Sequence, residues 1–273
     1  MQLALQKSKI SVLLPDSILE NEDTLLLKTR KIGTLARTTT MFRIGHVYFY
    51  KESGLDKDRK ILGDICTHLS LPPYLRKHGP HSPNLRYTAV LPPTHSPSHF
   101  GVEYKTISYL EGIVIEKFGE KISVDLGKKK PLNILNKGHY KKGDSVIIRS
   151  VNKSIEVQDK IPDSIFWKTL FEIGDLTLDQ YIQSKPRSYV IALSKSGKSI
   201  SSKTLLELQN SSHSHFLLVF GPIKGSLRDY VKNLNSIDNW INIIPNQGTK
   251  TIKIEEAVQS ALTLINLCSL NLK

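Results

Sequence analysis

The sequence predicts an α/β protein, a parallel sheet with flanking helices, that is interrupted by a small β-barrel. Apolar runs of strand length alternate with helical stretches in the first hundred residues and again after Trp167. Between them, residues 103–162 form short strand-like segments separated by turns that contain Gly or Lys. With 273 residues, the chain is long enough to bury a sizeable core.

The first part of the chain has a β-α-β pattern. The apolar run 10–14 ends at Pro15-Asp16, a helical stretch follows, and RIGHVYFYKE (43–52) is rich in β-branched and aromatic residues. Such a unit implies parallel strands joined by a right-handed crossover. The next helix must end near Pro72-Pro73, and the proline-rich stretch 80–97 predicts a long ordered loop or hinge.

The middle segment predicts a barrel of the oligonucleotide-binding (OB) type. Its strands are EGIVIEKFGEKISVDLG, KPLNIL, GDSVIIRS and KSIEVQD. Residues 116–160 carry eleven Lys and Arg against six Asp and Glu, a net charge of +5. The lysines expected to hold an RNA backbone are Lys128, Lys129, Lys130, Lys141 and Lys142. The alternative is that these lysines occupy exposed turns without a partner.

The last part alternates again and ends in a helix with a wide apolar stripe. The stripe consists of Ile254, Ala257, Val258, Ala261, Leu262 and Ile265. It can pack on its own sheet, form a dimer interface, or do both.

Composition limits the partners and the compartment. The 38 Lys and Arg against 25 Asp and Glu give a net charge of +13, which attracts a polyanion such as nucleic acid. The two cysteines, Cys66 and Cys268, are far apart, which suits a reducing compartment and gives no sulfur-rich metal site. His95 and His99 are four apart, but Pro97 disrupts the helix that metal binding would need. With no long apolar span and no export signal, we expect a cytoplasmic protein that binds neither membrane nor metal.

One short motif is rejected. ALSKSGKS (192–199) fits a relaxed phosphate-loop pattern between a strand and a helix. However, a nucleotide triphosphatase also needs a carboxylate at the end of a later strand to hold Mg²⁺, and FLLVFG and INIIP end without one.

Three consecutive strands end in loops that suit a cofactor. The loops are ALSKSG, FGPIKG and IIPNQGT, and ligands of open α/β sheets bind at the carboxyl ends of strands. Glycines there let the backbone approach a ligand closely. Because the loops offer no metal cluster and no acid–base pair, they favour a cofactor with its own reactivity, such as S-adenosylmethionine.

The chain resembles the archaeal and eukaryotic SPOUT RNA methyltransferases with an OB-fold insertion, the family related to the human centromere-associated SPOUT protein. The resemblance rests on KTRKIGTLARTTTMFRIGHVYFY, LPPYLRK, LPPTHSPSH, LLVFGPIKG and INIIPNQGTKTIKIEEA, in that order. It implies a trefoil-knotted α/β domain that binds S-adenosylmethionine, an OB-like insertion, a homodimer and an RNA substrate, with uridine N3 of ribosomal RNA favoured. The implied domains are 1–100 (first part of the SPOUT domain), 101–163 (RNA-binding insertion) and 164–273 (knotted, cofactor-binding part).

The resemblance also assigns site residues, although it identifies no catalytic one. The cofactor-binding set, including the loop after the first of the three strands, is Leu193, Ser194, Phe220, Gly221, Gly225, Asn242, Ile244, Pro245, Gln247, Gly248, Thr249 and Thr251. Arg37, Arg43, Arg76 and Lys77 join the five lysines as RNA-binding candidates.

Three departures from the family pattern concern the substrate. Where relatives tend to have Arg before the glycine of the first loop, this chain has Ser196; the family's Trp-Gly-Tyr is Trp167-Lys168-Thr169; and its Leu-Arg-Thr-Pro-His-His is the segment 94–99. The competing prediction is therefore a non-catalytic RNA-binding or ribosome-assembly factor that retains the fold.

Overall fold

The computed structural model describes residues 9–104, 107–136, 138–152, 154–158, 160–162 and 165–269. The chain divides into two compact units. The first runs to Cys66, includes Pro83–Pro92 and resumes at Thr169; the second comprises Thr67–Ser82 and Pro93–Lys168.

The helices and strands alternate at both ends of the chain and are strands alone in the middle. In chain order they are β1 (Lys9–Pro15), α1 (Leu25–Met41), β2 (His46–Tyr50), α2 (Asp56–Ser70), β3 (Val102–Tyr104), β4 (Ile107–Phe118), β5 (Lys121–Asp125), β6 (Leu132–Leu135), β7 (Ser145–Val151), β8 (Ser154–Gln158), β9 (Leu170–Ile173), α3 (Leu178–Gln183), β10 (Tyr189–Ser199), α4 (Ser202–Gln209), β11 (His215–Phe220), α5 (Leu227–Tyr230), β12 (Asn239–Asn242) and α6 (Ile254–Ser269).

The first unit is built on a six-stranded sheet in the order β12-β10-β11-β1-β2-β9, and all of its pairings are parallel. The central strands β1 and β11 are apolar without interruption at 12–14 and 217–219, and these six residues are fully buried. Parallel strands covered on both faces have this continuous apolar pattern. The α/β prediction with a parallel sheet is confirmed.

The final helix packs within its own chain. On α6, Val258, Ala261 and Leu262 are buried, and the helix contacts α1 and α4. The other three residues of the predicted stripe, Ile254, Ala257 and Ile265, are only partly buried. Half of the stripe is therefore buried within its own chain, as the first interpretation expects.

The first unit differs from the prediction at two places. The sequence pattern gave no indication of the edge strand β9 or of α3, which both follow Lys168. The sequence also predicts a helix over GSLRDYVKNL (225–234), but the structure has only the four residues of α5 there. The backbone N–H groups of Lys232 and Asn233 are taken by the Asp179 carboxylate, at 3.1 and 3.5 Å, so the chain leaves the helix there.

The second unit is an antiparallel, curled sheet in the order β6-β5-β4-β7-β8, with β3 added to β4. Its core consists of Val114, Ile122, Val124, Val146 and Ile148. The 12-residue strand β4 spans the sheet and shifts register between Val114 and Glu116, which bends it. The edge strands β6 and β8 approach each other. The short strands predicted from the turn pattern are thus present, in a sheet that curls toward a barrel.

A short segment packs against one end of this curled sheet. The 3-10 helix Pro73–His78 buries Leu75 completely. At Gly127, which has a φ of +71°, a Cβ would lie 2.6 Å from Tyr74. Only glycine allows the turn after β5 to come this close to the tyrosine.

Among the described residues, no helix is both long and apolar enough to cross a membrane. Cys66 is buried, as expected of a core residue, and burial raises the pKa of its thiol. The side chain of Cys268 and residues 1–8, where an export signal would begin, lie outside the described part of the chain.

Candidate functional site

The three predicted cofactor loops leave the same edge of the parallel sheet. Strands β12, β10 and β11 are neighbours and run in the same direction, so their carboxyl ends lie side by side. We call these loops loop A (194–197), loop B (221–226) and loop C (243–253). Loops B and C follow β11 and β12, whereas loop A interrupts β10, which resumes at Lys198 and does not end there as predicted. Ligands of open parallel sheets bind at this edge.

Loop A is an outward bulge inside β10. Both Leu193 and Lys198 pair with Ile241 of β12, so the four residues between them loop out of the sheet. A Cβ on Gly197 would lie 2.6 Å from the carbonyl carbon of Ile241 and 2.9 Å from the backbone nitrogen of Asn242. The bulge can therefore close onto β12 only with glycine at this position.

Loop C is held in shape by its own amide side chains. Asn242 Nδ2 donates to the Lys195 carbonyl at 3.0 Å, and Asn242 Oδ1 accepts from the Ile244 backbone N–H at 3.0 Å. Gln247 Nε2 donates to the Thr249 carbonyl at 2.8 Å. Two of the predicted cofactor residues, Asn242 and Gln247, thus fix the loop and join it to loop A.

The tip of loop C leaves space for a ligand. A Cβ built on Gly248 has no heavy atom within 4 Å, and the residue is exposed, as are Thr249 and Thr251. Gly248 is therefore not required by packing within the chain, in contrast to Gly197.

Loop B begins at a buried residue and has an exposed tip. Phe220 is buried, and its carbonyl accepts a hydrogen bond of 2.9 Å from the Tyr50 hydroxyl. Burial raises the pKa of that hydroxyl, so it stays a donor. Gly225 has a φ of +87°, which favours glycine, and Ser226 then caps α5.

An apolar pocket that the sequence interpretation missed lies beside loop A. It opens between the sheet and helices α4 and α6, with an empty volume of about 270 Å³ that includes its solvent-open part. Leu193, Ile241 and Ile265 are among its lining residues. The space inside this pocket is enough for only about one water molecule, so as it stands it does not hold the ring of a ligand.

The five predicted RNA-binding lysines cluster at one end of the second unit. Lys128–Lys130 follow β5, Lys141 and Lys142 precede β7, and all five are exposed. Ile113 of β4 pairs with Asp125, the last residue of β5, and with Ser145, the first of β7. Because both pairings occur at one residue of β4, the two lysine groups lie at the same end of the sheet. We call this end the basic end.

Lys77 lies at the basic end but already has a partner. Its Nζ is 2.6 Å from Asp125 Oδ2, and His78 Nε2 is 2.7 Å from the same oxygen. Burial alone would raise the pKa of Asp125, but the hydrogen bonds from Lys77, His78 and the Gly127 N–H lower it to about 2. The carboxylate is therefore ionised at physiological pH and fixes the 3-10 helix to β5.

The remaining predicted RNA-binding residues lie apart from these lysines in the chain. Arg37 and Arg43 are exposed in the first unit, on α1 and just after it, and Arg43 has a φ of +57°. Arg76 is partly buried in the second unit, on the same 3-10 helix as Lys77.

A buried ion pair in the second unit was not anticipated. Glu111 of β4 is 1% exposed; its Oε1 accepts from Ser145 at 2.9 Å and from Lys168 at 2.5 Å, and its Oε2 accepts from Trp167 Nε1 at 3.0 Å. Lys168 stands where the resemblance expects glycine. The departure is thus matched by a carboxylate partner 57 residues away in the chain. A single Glu within the apolar strand EGIVI was the only sequence indication of it.

The two histidines of segment 94–99 differ in their exposure to solvent. His95 is exposed and has a φ of +48°, whereas His99 is partly buried. Among the residues that the structure describes, no group of three or more His, Cys, Asp or Glu side chains could hold a metal ion.

Comparison with known proteins gives one family and several relatives. Residues 9–265 match the sequence model of a family described as "Putative RNA methyltransferase". The 28S rRNA (uridine-N(3))-methyltransferases of Mus musculus and Homo sapiens are 26% and 25% identical over 94% of this chain, and the matches cover 75% and 77% of their own lengths. An uncharacterized protein of Haloarcula marismortui is 26% identical over 94% of this chain and 98% of its own length.

Proposed function

We propose, from the premise that this chain belongs to the family of RNA methyltransferases whose sequence model it matches, that it methylates N3 of a uridine in ribosomal RNA with S-adenosylmethionine as the donor. The observation that carries the proposal is the edge shared by loops A, B and C. The strands that carry these glycine-containing loops are neighbours and parallel, which supports one ligand site at their carboxyl ends.

The residues at this edge fit the proposed donor. The open space at Gly248 leaves room for a ligand against the backbone of loop C. When bound, S-adenosylmethionine supplies a sulfonium that already activates its methyl group. The protein then needs mainly to bind, exclude water and align the uridine, so a site of backbone and small polar groups is sufficient.

Calorimetric titration with S-adenosylmethionine tests the proposal directly. We expect saturable binding with one site per chain and, with a methyl-labelled donor, transfer of the label to ribosomal RNA fragments that contain unmodified uridine. Absence of donor binding by a folded chain would contradict it.

A second candidate function is a non-catalytic RNA-binding or ribosome-assembly factor. The observation that favours it is in loop A, where Ser196 replaces the expected Arg and the neighbouring Lys195 Nζ lies 3.4 Å from the Lys250 carbonyl. This candidate predicts RNA binding without donor binding, so the same titration separates the two.

The finer features of the fold are also proposals. In the order β12-β10-β11, the chain between β11 and β12 passes β10, which is consistent with a trefoil knot around loops B and C. In the second unit, the order β6-β5-β4-β7-β8 and the approach of β6 to β8 support an OB-type barrel. A cytoplasmic location remains a prediction.

The basic end should bind RNA mainly through phosphates. Replacing Lys128, Lys129 and Lys130 with Ala should weaken binding to unrelated RNA sequences alike, because phosphate contacts carry no base information. The slope of log K against log salt should flatten by up to about 0.7 to 0.9 for each lost contact. Fluorescence anisotropy over a salt series measures both effects. An unchanged slope would show that these lysines are only solvated turn residues.

We further propose that the working unit is a homodimer. Leu26 and Leu27 on α1 and Leu267 on α6 are each about 40% exposed, and the two helices contact each other. An isologous interface would bury these side chains with one self-complementary patch. Sedimentation at micromolar concentration should therefore give a species of twice the 30.8 kDa chain mass. A clean monomer would overturn the proposal.

A further inference from the structure

The second unit contains a partly buried guanidinium for which the described residues offer no partner of opposite charge. Arg76 lies on the 3-10 helix between the fully buried Leu75 and the exposed Lys77. Its Nε is shielded from solvent and has no hydrogen-bond partner. No carboxylate in the described part of the chain pairs with it. Burial lowers the pKa of the guanidinium.

A charged group that is shielded from water and has no counter-charge lowers the stability of the folded state. A bound ligand of opposite charge removes this cost. The guanidinium offers several donors in a planar fork that matches the oxygens of phosphate. The orphaned Nε therefore indicates an oxyanion ligand.

Two histidines adjoin this guanidinium. His68 lies in the last turn of α2, and His99 ends the 3-10 turn Pro97–His99. Burial, and then the charge of Arg76, lower the pKa of both, that of His99 to about 4. Lys168 lowers the pKa of His99 further, whereas Glu111 and a backbone hydrogen bond with Leu69 raise it. The His99 imidazole is therefore neutral at pH 7 and can gain a proton when an anion arrives.

The surroundings of the cluster are fixed before any ligand binds. The Tyr74 hydroxyl donates to the Glu111 carbonyl at 3.0 Å and lies 3.4 Å from the Ser98 carbonyl. The Ser98 backbone N–H donates to the Trp167 carbonyl at 3.1 Å. These bonds join the 3-10 helix, the turn that carries His99 and strand β4, so Arg76 and His99 are held in place in advance.

We propose that Arg76, His68 and His99 bind one phosphodiester of the RNA strand and that binding is accompanied by proton uptake. The neighbouring Lys77 contacts Asp125, which ends β5 at the basic end, so this phosphate site adjoins the surface where five exposed lysines would hold the backbone. The inference rests on the proposed function for the source of the phosphate.

The first experiment compares two variants that each lose one positive charge from the second unit. Arg76→Gln should weaken binding of a short RNA oligonucleotide by at least about tenfold, because a charge-assisted contact is lost. Arg149→Gln, whose guanidinium is partly exposed and already paired with Glu156, should change it by less than about threefold. The melting temperature of Arg76→Gln should be equal to or higher than that of the parent, since an unpaired charge has been removed.

The second experiment measures the dissociation constant of the same RNA between about pH 4.5 and pH 7, the interval that begins just above the pKa of about 4 of His99 in the free protein. A bound phosphate stabilises the protonated imidazoles and so raises their pKa in the complex, which means that affinity must increase as the pH falls. The double variant His68→Asn/His99→Asn should show a smaller increase than the parent. Equal slopes for the two proteins would overturn the proton uptake.

Two results of the first experiment would contradict the proposed phosphate site. One is a lower melting temperature of Arg76→Gln with unchanged RNA affinity, which would show a structural role. The other is that Arg76→Gln loses affinity for S-adenosylmethionine but keeps its affinity for RNA. Arg76 would then bind the carboxylate of the donor and not a phosphate. If Arg76→Gln loses RNA affinity but the parent does not bind S-adenosylmethionine, the phosphate site is supported and only the proposed function fails.

Discussion

Gly248→Val is expected to abolish S-adenosylmethionine binding without unfolding the chain. A Cβ at this position would have no heavy atom within 4 Å, and the backbone lies outside the left-handed region. The protein without ligand can therefore accept valine here. The β-branched side chain would instead occupy the space proposed for the donor. We expect a loss of at least about 100-fold in affinity, or roughly 2.7 kcal/mol, measured by calorimetry.

Gly45 provides a matched control for this substitution. It is also exposed, has no heavy atom within 4 Å of a built Cβ, and precedes β2 at the opposite, amino end of the parallel strands. Gly45→Val should therefore bind the donor like the parent. If Gly248→Val also binds like the parent, loop C is not part of the donor site.

The comparison of Gly248 with Gly197 shows what the sequence can and cannot indicate about this edge. Both glycines follow apolar strands, and the pattern placed both at the carboxyl ends of parallel strands. Only the structure distinguishes them, because the backbone that excludes a side chain at Gly197 belongs to Ile241 and Asn242, more than forty residues later. The roles of residues in a loop depend on such distant neighbours, which local periodicity does not encode.

The same limit explains the elements that the sequence interpretation missed. Strand β9 is only four residues long and pairs with β2, whose sequence lies more than a hundred residues earlier. In contrast, the core strands β1 and β11 were predicted because full burial on both faces requires a continuous apolar run. The orphaned Arg76 likewise depends on the absence of a spatial partner, which no sequence pattern reveals.

Removing Lys168 is expected to have the largest effect on stability. Glu111 is 1% exposed, so Lys168→Ala would leave a buried carboxylate with only Trp167 and Ser145 as donors. Breaking a buried ion pair in this way costs about 3 to 5 kcal/mol, and the two remaining donors place our expectation near about 3 kcal/mol. Chemical denaturation, or hydrogen exchange of the core strands β4 and β7, measures this loss.

A double-mutant cycle separates the ion pair from simple loss of packing. The variant Lys168→Met/Glu111→Gln removes both charges and nearly preserves volume, so it should recover most of the lost stability, since neither charge is left buried alone. Lys77→Met is the matched control, because the 62% exposed Lys77 side chain also pairs with a carboxylate, that of Asp125. Its cost should not exceed about 1 kcal/mol. Equal losses in the free energy of unfolding for Lys168→Ala and Lys77→Met would show that the burial of Glu111 does not determine the strength of its ion pair. The lysine that replaces the family's glycine would then be only a surface substitution.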